Sequence, residues 1–287
     1  MARIREIRDR VVAIKKTQKI TSAMKMISAA RLARAQQAAE ASRAYGRKLN
    51  EIFASVANGI EADAHPLLTV RPAPRKLDLV LVTSDRGLCG AFNANLVKTA
   101  QAFFNSRRSE YASISLICVG RRGRDYARRR KLDSPKSWMG ISIPNADIAH
   151  EIGEYLVERF LSGQSDEVTF VYSSFVSAMR QEPTVRTILP ILSAVEPNAD
   201  AQALPYEIEP DPESLLAALL PRVVDFAVLR ALLENAASEH GARMTAMESA
   251  TENTRELIRS LTLDMNKARQ TQITTELTEI VAGAEAL

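Results

Sequence analysis

Residues 4–14 read Ile4-Arg5-Glu6-Ile7-Arg8-Asp9-Arg10-Val11-Val12-Ala13-Ile14. Ile4, Ile7, Val11 and Ile14 recur at spacings of three, four and three, which is the apolar seam of a coiled coil. No proline and one glycine, Gly46, occur from Ala2 to Asn58. At a 1.5 Å rise that run makes a rod of about 85 Å if unbroken. Past Ile14 the register passes through Gln18, Thr21, Lys25 and Ser28, while Ile20, Met24 and Ile27 start a shifted apolar track. The shift predicts a stutter near Lys16 to Ile20. Small residues dominate from Ala29 to Ala44, keeping helix propensity high, and Leu49, Ile52, Phe53 and Val56 restore a wide apolar face.

The other end mirrors this pattern. From Arg222 to Leu287 there is no proline, and Pro210 and Pro212 supply a start signal. Leu233, His240, Met247, Thr254, Leu261 and Ala268 form one heptad track; Ala237, Met244, Thr251, Ile258 and Met265 lie four residues after each of the first five. Several of these seam residues are small or polar, which weakens packing. That fits either a mediocre seam or a rod that must move past other surfaces without sticking.

Between the ends, strands alternate with helices. The run Leu77 to Thr83 is apolar and rich in β-formers, with a helical stretch from about Ala94 to Ser106 after it. Ser113 to Val119 reads as a second strand, Ile148 to Leu161 as a helix and Glu167 to Ser173 as a third strand. This order predicts a mostly parallel sheet covered on both faces. Pro66, Pro72 and Pro74 mark its entry, and Pro197, Pro205, Pro210 and Pro212 its exit. The expected fold is an antiparallel coiled coil of N- and C-terminal helices with an inserted Rossmann-like α/β domain. Its parts are an N-terminal helix over 1–60, a globular domain over 65–207 and a C-terminal helix over 208–287.

The charge distribution agrees. Residues 1–60 carry 13 Lys and Arg against 4 acids, residues 61–207 carry 18 against 17, and residues 208–287 carry 7 against 13. A basic helix beside an acidic one is a complementary pair, although exposed ion pairs contribute only about 0–1 kcal/mol each. The composition, 46% hydrophobic and 25% charged, is that of a globular chain. No uninterrupted apolar run approaches membrane-spanning length, and the first turns lack a secretory signal, so the cytosolic side is expected.

Chemistry-bearing residues are sparse. Cys89 and Cys118 are too few for a disulfide framework or a zinc site, and His65, His150 and His240 lack ligand spacing. Ser84-Asp85-Arg86-Gly87-Leu88-Cys89-Gly90 occupies the strand-to-helix position of phosphate-binding loops. It lacks the Lys-Ser/Thr of a P-loop, and Asp85 puts negative charge where a phosphate would go. A tight glycine turn and a nucleotide loop both stay open as readings. Arg121 to Lys131 holds seven basic residues in eleven, either a solvated face or a phosphate-contacting one.

Three motifs carry a resemblance. Thr17 to Met26 (TQKITSAMKM), Asn266 to Ile280 (NKARQTQITTELTEI) and Ser84 to Gly90 closely resemble, in the same order, the signatures of the gamma subunit of F-type ATP synthase of bacterial type. The similarity extends over essentially the whole chain. It implies a central rotor stalk inside a ring of three alpha and three beta subunits, which contacts the epsilon subunit and the c-subunit ring. It implies no bond chemistry by this chain, no catalytic, cofactor-binding or metal-binding residue, and no nucleic-acid partner. It further implies a peripheral place on the cytoplasmic side of the cell (inner, or plasma) membrane, reached through Fo. Residue by residue, Arg269 and Gln270 match the polar pair that engages a beta-subunit loop. Met24 matches the methionine near an acidic beta segment, where Lys25 and Lys19 add positive charge. Tyr206 and Glu207 fall in the segment resembling the contact with the c ring and epsilon. The chloroplast form's inserted regulatory segment has no counterpart here.

Overall fold

A computed structural model describes residues 2–57, 65–71, 74–191 and 211–285. The elements are α1 (Ala2–Ala57), β1 (Lys76–Val82), α2 (Phe92–Arg107), β2 (Ser113–Val119), α3 (Arg121–Arg130), β3 (Ser137–Trp138), α4 (Ala146–Leu161), β4 (Glu167–Phe175), β5 (Gln181–Leu189) and α5 (Pro212–Glu285). They form two compact units, Met1–Ser28 with Arg243–Leu287, and Ala29–Ala242. The expected boundaries at 60 and at 207–208 fall outside the described residues.

In the larger unit the sheet order is β3-β2-β1-β4-β5. The first four strands run parallel, and β5 pairs antiparallel with β4 along its edge. The alternation of strand and helix is as expected from the sequence, and the mixed edge is an addition. Strand β5 escapes sequence reading because its side chains are mostly half-buried and Pro183 interrupts it. A proline lacks an N–H, and an edge strand tolerates that loss.

Strand β1 is buried at six of its seven positions. Side chains alternate across a strand, so Leu79 and Leu81 join Phe92, Leu96, Ala100 and Ala127 on one face, beneath α2 and α3. Val80 and Val82 join Ile152, Leu156, Phe53, Leu220 and Val224 on the other, beneath α4, the end of α1 and the start of α5. Within this apolar strand Asp78 is only 1% exposed. Arg159 of α4 holds it bidentately, with Nε to Oδ2 at 2.8 Å and Nη2 to Oδ1 at 2.9 Å.

Helix α5 starts on a strong cap. Asp211 accepts from the Ser214 amide at 2.8 Å and the Ser214 hydroxyl at 2.7 Å, and Pro212 occupies the first helical position. Pro221 lies within the helix, at a cost of about 3 kcal/mol. Burial of Leu216, Leu220, Val223 and Val224 around it, at roughly 1.5–3 kcal/mol each, outweighs that cost. Gly46 of α1 explains itself against this helix: a Cβ there would stand 2.2 Å from Cζ of Phe226. The Tyr45 ring flanks the same phenyl group, centroid to centroid 5.5 Å.

His150 of α4 pairs with Asp225 of α5 at 2.7 Å. The hydrogen bond to Asp225, that carboxylate's charge, and the more distant Glu154 and Asp147 raise its pKa above the usual 6.5. The protonated form is therefore favoured on folding. This pairing stabilises fully below the unfolded value and fades as pH rises through the raised one.

Three outcomes follow from these contacts. Gly46→Val lowers stability in denaturant unfolding by about 1–3 kcal/mol through overpacking, and Phe226→Leu in the same chain restores part of it. Arg159→Met strands a buried carboxylate and costs about 3–5 kcal/mol at neutral pH; a change within error would remove Asp78 as a buried charge. In an NMR titration His150 shows a pKa above 6.5 that returns toward that value in Asp225→Asn, and equal values in both proteins would dismiss the pair.

Candidate functional site

In the smaller unit the two helices pair through a register that can be read residue by residue. Along α1, Ile4, Ile7, Ile14, Gln18 and Lys25 are half-buried and Val11, Thr21 and Ser28 buried, at unbroken three- and four-residue spacing. Along α5 the matching positions are Met244, Met247, Thr251, Thr254, Ile258, Leu261, Met265 and Ala268. The Thr251 hydroxyl donates to the Thr21 hydroxyl at 2.8 Å, and Lys25 Nζ meets Glu248 Oε1 at 2.5 Å. As residue number falls along α1 it rises along α5, so the pair is antiparallel.

The stutter expected near Lys16 to Ile20 is therefore corrected. The original register continues; of the presumed second track Ile20 and Ile27 are 60% and 54% exposed and Met24 is half-buried, while neighbouring Met26 is 65% exposed. Small hydroxyl side chains permit this. Ser28 donates to the Met24 carbonyl at 2.8 Å and Thr21 to the Gln18 carbonyl at 3.1 Å, so they enter the seam without an unpaired donor. The apolar side chains left outside form an outward stripe with Val12.

With Thr21 level with Thr251, α1 begins at Ala2 level with Gln270, and α5 continues past it from Thr271 to Glu285. There Ile273, Leu277, Ile280 and Val281 are about half or more exposed at helical spacing, an apolar stripe that no helix covers among the described residues. Thr271, Thr274, Thr275 and Thr278 each donate to the carbonyl four residues back, at 2.8–3.1 Å. The sequence reading missed this second stripe, although its spacing was visible.

Among the residues singled out from sequence, Arg269 and Gln270 lie exposed and adjacent where the paired helices end. Met24 and Lys25 are half-buried, with Lys25 held by Glu248. Tyr206 and Glu207 lie outside the described residues.

In the larger unit the Ser84 to Gly90 loop resolves as a structural device. Asp85 Oδ1 accepts from the Arg121 amide at 2.9 Å and Oδ2 from the Gly140 amide at 2.8 Å. A carboxylate thus occupies the α3 N-terminus, where a phosphate would bind. Thr83 Oγ1 accepts from the Gly123 amide at 2.8 Å, and Gly120, with φ of 97°, permits the close approach: a Cβ there would lie 2.2 Å from the Thr83 carbonyl oxygen. At the switch point between β1 and β4, the usual ligand crevice of such sheets, α5 reaches in. Asn235 Oδ1 accepts from the Ser173 amide at 3.1 Å, and the Ser238 hydroxyl donates to the Ser173 carbonyl at 3.1 Å. Asp85 at the α3 N-terminus and Asn235 and Ser238 at the crevice thus meet these backbone groups from within the chain itself.

Cys89 and Cys118 are buried free thiols, and burial pushes Cys118 up to about 11, which leaves it unreactive near neutrality. Among the described residues no group of His, Cys, Asp and Glu could hold a metal ion, and no helix is long and apolar enough to cross a membrane.

A family model described as ATP synthase matches residues 3–287. The chain is 47% identical over 295 residues to the ATP synthase gamma chain of Anaeromyxobacter sp. (strain Fw109-5), with all of both chains covered. It is 45% identical to that of Syntrophobacter fumaroxidans, covering 100% of this chain and 99% of the relative. Among solved structures, a chain of the central stalk and c-ring of Tetrahymena thermophila mitochondrial ATP synthase matches at a TM-score of 0.60 and 25% identity, over 80% of this chain and 99% of that one. A chain of the Euglena gracilis mitochondrial ATP synthase shares the fold at a TM-score of 0.69 and 23% identity, over 99% and 94%. On full-length identity of this order, the chain belongs to the ATP synthase gamma chain family.

Proposed function

We propose that this chain works as the rotor of the enzyme's central stalk, carrying c-ring rotation to the alpha and beta subunits as sequential conformational change. The observation that carries the reading is the pair of outward apolar stripes in the smaller unit, Ile20, Met26 and Ile27 on α1 and Ile273, Leu277 and Ile280 on α5. Each would cost solvation free energy if left in water, and each suits a surrounding sleeve of other subunits. The two stripes differ in side chains and flanking charge, so each orientation of the pair offers a different face to each beta subunit. Differential contacts of this kind are what couples one site to another.

Within that reading Arg269 and Gln270 contact a beta-subunit loop. Arginine presents a bidentate fork to a carboxylate and glutamine a donor and an acceptor, so both bonds form and release in turn. Met24 and Lys25 face an acidic beta segment. Tyr206 and Glu207 belong to the foot, with epsilon and the c ring. Residues 1–60 and 208–287 serve as the shaft and 65–207 as the globular base. Within the same reading the chain sits peripherally on the cytoplasmic side of the inner, or plasma, membrane, a place supported by its membership of a membrane-associated enzyme complex.

The test is ATP hydrolysis by a matched-species alpha–beta hexamer with and without one equivalent of the chain, beside native mass spectrometry. One copy per hexamer with a large rise in turnover is expected; no complex and no stimulation would remove the rotor reading. For Arg269→Ala, loss of a charge-assisted bond worth about 1.5–3 kcal/mol predicts a fall of roughly tenfold or more in ATP synthesis by the assembled enzyme. Unfolding of the free chain stays unchanged, because the side chain is exposed. Wild-type synthesis in that variant would take Arg269 out of the coupling contact.

A further inference from the structure

Helix α5 is a single helix that runs from the larger unit into the smaller one. Within the larger unit it is held in two ways. Leu216, Leu220, Val223, Val224, Val228 and Leu232 bury against the core beneath the sheet. The hydrophobic effect is non-directional, so these contacts hold the helix down but do little to fix its rotation about its own axis.

One turn beyond Leu232 the buried surface becomes polar. Asn235 and Ser238 lie three residues apart on one face and are buried, as is Ser173 of β4. Strand β1 pairs with β4 as far as Val171, and Ser173 stands opposite Pro183 of β5, which has no N–H to give. Helix α5 supplies what the strands leave out. Asn235 Oδ1 accepts from the Ser173 amide and the Ser238 hydroxyl donates to the Ser173 carbonyl, both at 3.1 Å. The Ser174 hydroxyl donates to Glu234 Oε2 at 2.8 Å, while Arg230 Nε holds Oε1 of the same carboxylate at 3.0 Å. Glu234, Asn235 and Ser238 thus grip two consecutive residues of a strand, one of them by both backbone groups.

A helix selected for stability alone would not choose these residues. Asparagine and serine lower helix propensity, and both give up the apolar burial that leucine would bring. What they add is orientation. A roll of α5 by one residue, about 100°, would swing both side chains away from Ser173 and leave its N–H and C=O unpaired in the interior. The bonds penalise the one motion that apolar packing leaves soft.

We infer that Asn235 and Ser238, acting through Ser173 and backed by Glu234 on Ser174, are positioning residues that lock α5 to the sheet, so that torque on the globular base turns the shaft. The inference rests on the rotor reading proposed above. Without the lock, part of any torque is lost as rolling of α5 in its seat.

The test uses the assembled enzyme in sealed vesicles, with ATP hydrolysis and ATP-driven proton uptake measured on one preparation and assembly counted by native mass spectrometry. Loss of two buried hydrogen bonds in Asn235→Ala with Ser238→Ala is expected to cut uptake per ATP hydrolysed by roughly fivefold or more, while hydrolysis per assembled enzyme stays within about twofold. The fall is steeper against a pre-formed proton gradient. Ser238→Ala alone, the milder change, lowers the same ratio by about twofold. Leu232→Ala opens a cavity in the apolar seat, so it lowers thermal stability and assembly yield and leaves the ratio unchanged. An unaltered ratio in the Ser238 variant, and in the double variant where it assembles, overturns the inference. An equal fall with Leu232→Ala also overturns it, because the ratio would then report stability. A wild-type chain that neither assembles nor supports uptake instead overturns the rotor reading beneath it.

Discussion

Close approach to helix α5 governs the larger unit. Gly46 on α1 and Gly153 on α4 each lie where a Cβ would stand 2.2 Å from an α5 side chain, Phe226 and Asp225 respectively. On α5 itself, a Cβ at Gly241 would touch Ala178 and Phe175 at 3.4 Å, beside the β4–β5 hairpin. Glycines in the interiors of two long helices cost about 1 kcal/mol each relative to alanine. Here they let backbones approach far enough to bury Phe53, Leu220, Val224 and Val228 almost completely. One face of the sheet, α4, the end of α1 and the hairpin all pack against this one helix.

The smaller unit follows the opposite economy. Midway along, its seam passes through Gln18, Thr21, Lys25, Ser28, Thr251 and Thr254 between apolar ends, while Ile20 and Ile27 beside that stretch face out. A helix pair selected for its own stability would put isoleucine inside and threonine outside. The inversion makes sense for helices whose outer surfaces meet other chains. It also explains why so much apolar surface survives in a protein with a well-buried core elsewhere.

Much of this was legible in sequence. The terminal helices, strands β1, β2 and β4 and the heptad tracks of α5 follow from periodicity, and Pro212 carries a start signal, while the two-residue β3 is too short to leave a pattern. What misled was Ile20 and Ile27: an exposed isoleucine at regular spacing reads as core, because periodicity reports an apolar face without saying what covers it. The role of Asp85 was half visible. Its charge argued against a phosphate, but its partners Arg121 and Gly140 are 36 and 55 residues away, beyond any local pattern. Strand β5 stayed hidden since Pro183 and Arg186 break an alternation that only the neighbouring β4 completes. Of the residues proposed as contacts, Arg269 and Gln270 are exposed by helix geometry alone, as no long-range contact is needed to leave them outside at the end of a pair.

The threonines at 271, 274, 275 and 278 donate their hydroxyl protons inward to the carbonyls one turn back. Their donors are thus already engaged, so a surface passing over them can offer hydrogen bonds but receives none from these groups. Every bond made across such a face must be broken again before the next position is reached, and fewer bonds mean a smoother energy profile along the path of motion. A row of back-bonded threonines thus leaves this flank of α5 short of free hydroxyl donors, so that its contacts with any passing surface rest on the apolar side chains beside them.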